Sequence, residues 1–359
     1  MSVTLFDRDS TNEQGSSAAS RMEANADVSS DRIMQLGLGF RASKTLLSAV
    51  ELDLFSELAA APLDGETLRQ RLGLDRRGAR DFFDALVALG LLERRYGIYR
   101  NTPETELYLD RNKPSYVGGM LRWANGPGYG AWAALTEALR TGRPQNGIAD
   151  GEDLFDTVYS DRESATRFAQ AMTGLSLQIA STLEQRFPWA DYRTFIDIGA
   201  AEGAVAVAIA RAHQHLSGGG FDLPQVRPAF EAYVRRHGLA HRLDFHSGDF
   251  LTQPLPSADV LIMGHILHDW DLEVKRELLA KAHAALPKGG VLIVYDQIID
   301  DERRDNAAGL LMSLSMLVNT RGGFDYTGAD CIDWMHAAGF GAVRREHLCG
   351  PHSMVTGRK

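Results

Sequence analysis

The chain has 359 residues, 44% of them apolar, which is long for one ordinary domain and enough to fill two cores. Its 38 basic and 47 acidic residues leave a net charge of −9, which argues against a general affinity for nucleic acid or anionic membrane and favours a small-molecule partner. The two cysteines, Cys331 and Cys349, form no C-x-x-C pair, so neither a disulfide framework nor a thiolate zinc site is expected, and the natural compartment is a reducing cytoplasm.

Residues 1–30 mix Ser, Asn, Asp and Glu with little apolar content and no signal-peptide core, and read as a disordered tail. Over residues 31–58 apolar side chains recur every three or four positions (Ile33, Leu36, Phe40, Leu46, Leu47, Val50, Leu54), which predicts amphipathic helix with a break near Leu52. Residues 65–74, 77–89 and 91–99 then read as helix, helix and a hairpin turning at Gly97, the order of a winged helix. Arg69, Arg71, Arg76, Arg77 and Arg80 are cations that a DNA-recognition helix would use, but Phe82, Phe83, Leu86 and Leu89 crowd the second helix with bulk better suited to packing against a partner. Residues 116–187 are helical again, with Trp123, Tyr129, Trp132, Phe155, Tyr159 and Phe168 placed to wall a pocket. Past Pro188 short apolar strands alternate with helices, which predicts a mainly parallel, doubly wound α/β sheet. The expected organisation is a winged-helix region over 31–115, a helical connection over 116–187 and an α/β domain over 188–359. No run of about 18 apolar residues occurs, so no spanning helix is expected.

Ligands of such sheets bind outside the carboxyl ends of the strands, and the polar residues there are the candidates for chemistry. Asp197-Ile198-Gly199-Ala200-Ala201-Glu202-Gly203 ends the first strand; Gly199 lets backbone approach a ligand and Gly203 lets the next helix pack closely. A dinucleotide fingerprint would carry glycine at 201, where alanine stands. Asp222, before Leu223-Pro224, either accepts from both ribose hydroxyls or caps the following helix, and the glycines at 218–220 predict a short, bent or bulged second strand. Asp249 and Phe250 offer an acceptor and an apolar face to a purine, or serve only as turn and core. His268 follows the fourth strand and is either a base or a satisfied core histidine; Asp296 and Asp325 are its plausible neighbours.

These motifs, with Gly322-Gly323-Phe324-Asp325-Tyr326-Thr327 and Ala338-Gly339-Phe340 in the same order, resemble the caffeic-acid and acetylserotonin-type O-methyltransferases over nearly the whole chain beyond the tail. The resemblance implies a seven-stranded sheet, S-adenosyl-L-methionine as cofactor, and an intertwined homodimer made by the winged helix rather than DNA binding. It carries the cofactor contacts onto Ser176, Gly199, Asp222 with the adjoining Leu223, Asp249 and Phe250, and the catalytic base onto His268. Asp296 and Asp325 match the acidic residues that steer that histidine, where plant members carry glutamate. Met172 and Met316 match positions lining the acceptor pocket, beside the aromatic wall that includes Trp123 and Phe168. Gly264 stands where a lysine contacts adenine, and His265 where those members have tryptophan.

The implied chemistry is attack of a deprotonated hydroxyl on a sulfonium methyl, and an imidazole of ordinary pKa, about 6.5, is mostly neutral at pH 7 and able to take that proton. Three competitors follow from the same residues. The acceptor atom is carbon or nitrogen; or His265, His268 and Asp296 bind a metal, against which the expectation is no metal; or the protein is a metabolite-responsive DNA binder, which the acidic balance disfavours.

Overall fold

The computed structural model describes residues 28–147, 155, 158–159 and 162–359, so the tail expected over 1–30 lies outside the described residues except for its last three positions. The chain divides into two units, residues 1–46 and 47–359. In the first, α1 (Asp31–Gly37) and the start of α2 (Phe40–Glu51) carry Ile33, Leu36 and Phe40 at helical spacing, all exposed.

In the second unit, the break expected near Leu52 is Asp53, whose φ of +57° ends the run before α3 (Leu54–Ala60). β1 (Leu63–Asp64), α4 (Gly65–Arg71), α5 (Arg76–Ala88), β2 (Leu92–Arg95) and β3 (Ile98–Asn101) follow. The carboxylates of Asp64 and Asp75 accept from backbone N–H groups of Thr67 and Arg77, which caps α4 and α5. Arg95 pairs with Ile98, leaving Tyr96 and Gly97, at φ +51° and +81°, as a two-residue turn whose twist suits a hairpin. α6 (Pro103–Tyr108), α7 (Gly118–Trp123), α8 (Tyr129–Ala133) and α9 (Leu135–Thr141) lead to α10 (Arg162–Arg186), which packs against α7. No described helix is long and apolar enough to cross a membrane.

From Thr194 the chain runs β4 (Thr194–Ile198), α11 (Ala204–Ala212), β5 (Ser217–Asp222), α12 (Arg227–Arg236), β6 (Leu243–Ser247), β7 (Val260–Gly264), α13 (Leu272–Ala285) and β8 (Val291–Asp296). It closes with α14 (Ala307–Asn319), α15 (Gly328–Ala337), β9 (Gly341–Cys349) and β10 (His352–Arg358). The strands form one seven-stranded sheet in the order β6-β5-β4-β7-β8-β10-β9, parallel except that β10 runs against both neighbours. Alternation sorts its side chains: Phe195, Val260, Ile262 and Ile293 pack under α10, α11 and α12, while Ile196, Ile198, Leu261, Met263, Leu292 and Val294 pack under α13 and α15. The order reverses at β4, so the ends of β4, β5 and β7 open into a crevice.

Of the short, bent or bulged second strand expected here, neither the shortening nor the bulge is present. β5 is six residues long and pairs with β4 and β6 without a slip. Its glycines answer to crowding instead: a Cβ at Gly219 would lie 1.8 Å from the Asp244 carbonyl oxygen, and one at Gly218 would lie 2.1 Å from that of Phe195. At Gly220 a Cβ would lie 2.5 Å from Ala200 Cβ and 2.7 Å from the Phe230 ring.

Candidate active site

The turn after β4 is tied down from three sides. Gly199, Ala201 and Gly203 adopt φ of +73°, +48° and +86°, and the backbone N–H of Ala201 donates to Asp222 Oδ2 at 2.9 Å. The N–H of Leu223 donates to Asp222 Oδ1 at 2.7 Å, so this carboxylate does not cap the next helix but braces two loops at the crevice. Burial pushes Asp222 up to about 6 against the pull of those two N–H groups, and pushes Asp197 beneath it up to about 8 with help from the Asp222 charge. A Cβ at Gly199 would lie 2.2 Å from Ile266 Cδ1, and at Gly203 the neighbour is the Phe230 ring at 2.5 Å. A link that the sequence analysis missed joins α10 to this turn: Thr173 Oγ1 donates to Glu202 Oε2 at 2.8 Å.

Asp249 spends its carboxylate on its own turn, accepting from Leu251 N–H at 2.8 Å and Thr252 Oγ1 at 2.9 Å. Phe250 meets Trp270 edge to face at 5.9 Å, and Lys281 Nζ holds the carbonyls of Phe250 and Leu251 at 2.9 and 2.6 Å. The lysine position of the plant proteins has a steric answer: a Cβ at Gly264 would lie 1.8 Å from Cζ of Tyr295, so that ring occupies the place of any side chain. Burial pushes the Tyr295 phenol well above its usual range, and the nearby Ser176 hydroxyl of α10 pulls weakly the other way.

His268 lies in a short 3₁₀ turn, Leu267–Asp269, just past β7, and is buried. Its Nδ1 stands 3.2 Å from Asp325 Oδ1 and 3.7 Å from Asp296 Oδ1, and its Nε2 stands 3.7 Å from Asp269 Oδ1. The structure thus brings together His268, Asp296 at the end of β8, and Asp325 from the loop before α15. Tyr326 donates its hydroxyl to Asp296 Oδ2, and His265 Nδ1 approaches Asp296 Oδ1 at 3.6 Å. His265 sits at φ +55° between Tyr295 and His352, with ring centres 5.5 and 5.2 Å away.

Burial, the largest influence on His268, works against the charged ring, and the carboxylates of Asp296, Asp269 and Asp325 outweigh it, holding the imidazolium up to about 10. Asp296 moves the other way from most ion-paired acids: burial pushes it up to about 7 against the attraction of His268. The surroundings thus raise the ring's affinity for a proton above the ordinary imidazole value expected from sequence. Among the described residues Asp296 Oδ1, Asp325 Oδ2, His265 Nε2 and Trp270 Nε1 are buried without a hydrogen-bond partner, a concentration of unmet polar groups around one histidine.

Aromatic rings run from this cluster toward α7. Phe155 stacks on Trp270 at 5.8 Å and meets Phe168 at 6.2 Å, and Phe168 meets Trp123 at 5.2 Å. Tyr159, whose phenol is held well above its usual range by burial and by the Asp222 and Asp269 charges, packs on Phe155 and Phe168. Phe168, Met172 and Ser176 recur at four-residue spacing on α10, hence on one face. Met316 is buried on α14, three residues past Ser313, whose hydroxyl accepts from Asp325 N–H at 3.2 Å.

Two family models match the chain: one for the O-methyltransferase domain over residues 132–341, and one for the O-methyltransferase dimerisation domain over residues 34–111. The chain is 45% identical over 328 residues to the tetracenomycin polyketide synthesis 8-O-methyl transferase of Streptomyces glaucescens, covering 91% of this chain and 96% of that protein. It is 42% identical over 269 residues to an N,N-dimethyltransferase of Streptomyces rimosus, covering 75% and 78%. The crystal structure of human N-acetylserotonin methyltransferase in complex with S-adenosylmethionine superposes with a TM-score of 0.86 at 28% identity, over 93% of this chain and 98% of that one.

Proposed function

The chain belongs to the O-methyltransferase family and is an S-adenosylmethionine-dependent methyltransferase, and from that premise we propose that it methylates a hydroxyl of a flat aromatic, polyketide-like acceptor, with His268 as the general base. The observation that carries the reading is the 3.2 Å contact of His268 Nδ1 with Asp325 inside a buried carboxylate cluster, at the mouth of the crevice and against an aromatic wall. The likeness to the polyketide 8-O-methyl transferase supports the acceptor class.

The residues at the strand ends suit the cofactor. Asp222 keeps acceptor capacity on both oxygens after its two backbone bonds and is the group to hold a ribose; the unpaired Trp270 Nε1 and the Phe250 ring offer a donor and an apolar face beside it. When bound, S-adenosylmethionine supplies a methyl carbon on a sulfonium, whose positive charge also disfavours a second cation in the crevice. His268 does the proton chemistry: Asp325 fixes the tautomer by accepting at Nδ1, which leaves Nε2 to take the acceptor's hydroxyl proton. The aromatic rings of Trp123, Phe155 and Phe168 keep water from the reacting atoms and press a flat acceptor against them. Holding the two reactants in attack geometry supplies roughly 7 to 11 kcal/mol of the barrier, and a general base about 10² to 10⁴-fold more. On this reading the dimerisation region joins two copies of the chain into a homodimer.

A second reading, an amine nitrogen as acceptor, is favoured by the likeness to the N,N-dimethyltransferase. Incubation with methyl-labelled S-adenosylmethionine and a panel of phenols, hydroxylated polycyclic compounds and aromatic amines separates the two. Label on oxygen of the polycyclic phenols is the expected result; label confined to the amines, or to carbon, would replace it.

A further inference from the structure

Among the described residues Lys275 is the only buried lysine, with no exposed surface, and an ammonium in such a place is costly unless its hydrogens and charge are met. It lies near the start of α13. Its Nζ donates to the carbonyl of Trp270, directly after the His268-Asp269 pair, and stands 3.5 Å from the centre of the Phe324 ring, directly before Asp325. The two stretches it touches are themselves pressed together. A Cβ at Gly323 would lie 2.7 Å from the carbonyl oxygens of both His268 and Asp269, and one at Gly322 would lie 2.9 Å from Asp271 Cβ. The charges facing the ammonium are Asp269 and Asp271 from the turn before α13, Asp296 from β8 and Asp325 from the loop, with the Tyr326 ring 5.9 Å away. Burial is nevertheless the strongest influence, and draws Lys275 down to about 8.

We propose that Lys275 is a positioning residue for methyl transfer: by holding the Trp270 carbonyl and the face of Phe324 it keeps His268 and Asp325 in register. This rests on His268 being the base. Loss of register slows turnover; because Lys275 is drawn down to about 8 and His268 held up to about 10, the lysine is already neutral where the histidine titrates, and the acid limb of the rate profile stays in place.

The test is Lys275→Met, which keeps an unbranched chain and removes donor and charge, assayed for kcat, KM, binding of the demethylated cofactor by calorimetry, and pH profile. Expected are a kcat lower by about 10- to 100-fold, with KM, cofactor binding and the acid limb unchanged. Phe324→Leu removes the ring face alone, and is expected to lower kcat with the limb in place. Combined with Lys275→Met it should cost less than the product of the two single effects. Wild-type kcat in Phe324→Leu, multiplicative effects, or a displaced limb in Lys275→Met would overturn the proposal, and Phe324→Leu decides even where Lys275→Met fails to fold. His268→Ala is run alongside: inactive His268→Ala with fully active Lys275→Met overturns the lysine's role alone, whereas active His268→Ala overturns the reading beneath it.

Discussion

His268 is a base made strong by its surroundings rather than one poised near neutrality. Three carboxylates outweigh its burial and hold its proton up to about 10, so the form able to accept a proton is scarce in the free protein at pH 7. Because kcat/KM reports the free enzyme, it should rise with pH along a limb well above the ordinary imidazole value of about 6.5. Replacing Asp325 by Asn removes a raising influence and an orienting acceptor together. The limb should then move to lower pH while kcat falls by about 10²-fold or more. A pH-rate series on both proteins checks this, and a limb that stays in place would detach Asp325 from the histidine. A resident metal is disfavoured at this histidine. His265, His268 and Asp296 each offer an atom within 4.8 Å of the others, but His268 Nδ1 is directed at Asp325 and Asp296 already accepts from Tyr326. Turnover should therefore survive exhaustive chelation, and its loss with recovery on adding a divalent cation would reverse the assignment. His268 was legible because a histidine just past a central strand stands out. Tyr326 and Lys275 were not: one reads as a loop residue and the other as an ordinary helix-surface charge, and only the packing of two distant stretches gives them partners.

The second strand shows what elements conceal in sequence. Three successive glycines are poor strand formers, and local propensity points to a distortion; the close approach of β6, β4 and the Phe230 ring, which no local rule reveals, requires them in a regular strand. Gly219→Ala forces a Cβ onto the Asp244 carbonyl and should destabilise by about 1 to 3 kcal/mol or more. Gly78→Ala is the matched control: it lies within α5 with nothing within 4 Å of its absent Cβ and no positive φ, and should stabilise by about 0.5 to 1 kcal/mol. Denaturant melts of the two variants test the contrast, and equal effects would mean that the crowding around β5 is absent in solution. Where elements follow from pattern alone the reading came close. The helix expected after Gly203 runs over Ala204–Ala212, and the hairpin turns at Tyr96–Gly97 as its glycine implied.

At the scale of the whole molecule, alternation of strands and helices after Pro188 made the α/β class readable, and the family resemblance supplied the count of seven strands, which the sheet has. The strand order, with its reversal at β4, arises from tertiary packing and was not in the pattern; it is that reversal which gathers Asp222 and His268 around one crevice although they lie 46 positions apart. A protein so arranged separates holding the methyl donor from moving the proton, and the two functions should come apart under mutation. The most direct measurement is single-turnover methyl transfer by His268→Ala, paired with calorimetry of the demethylated cofactor on the same preparation. The account predicts wild-type binding heat with transfer slowed by about 10² to 10⁴-fold; wild-type transfer, or binding lost along with it, would contradict the division of labour on which everything else depends.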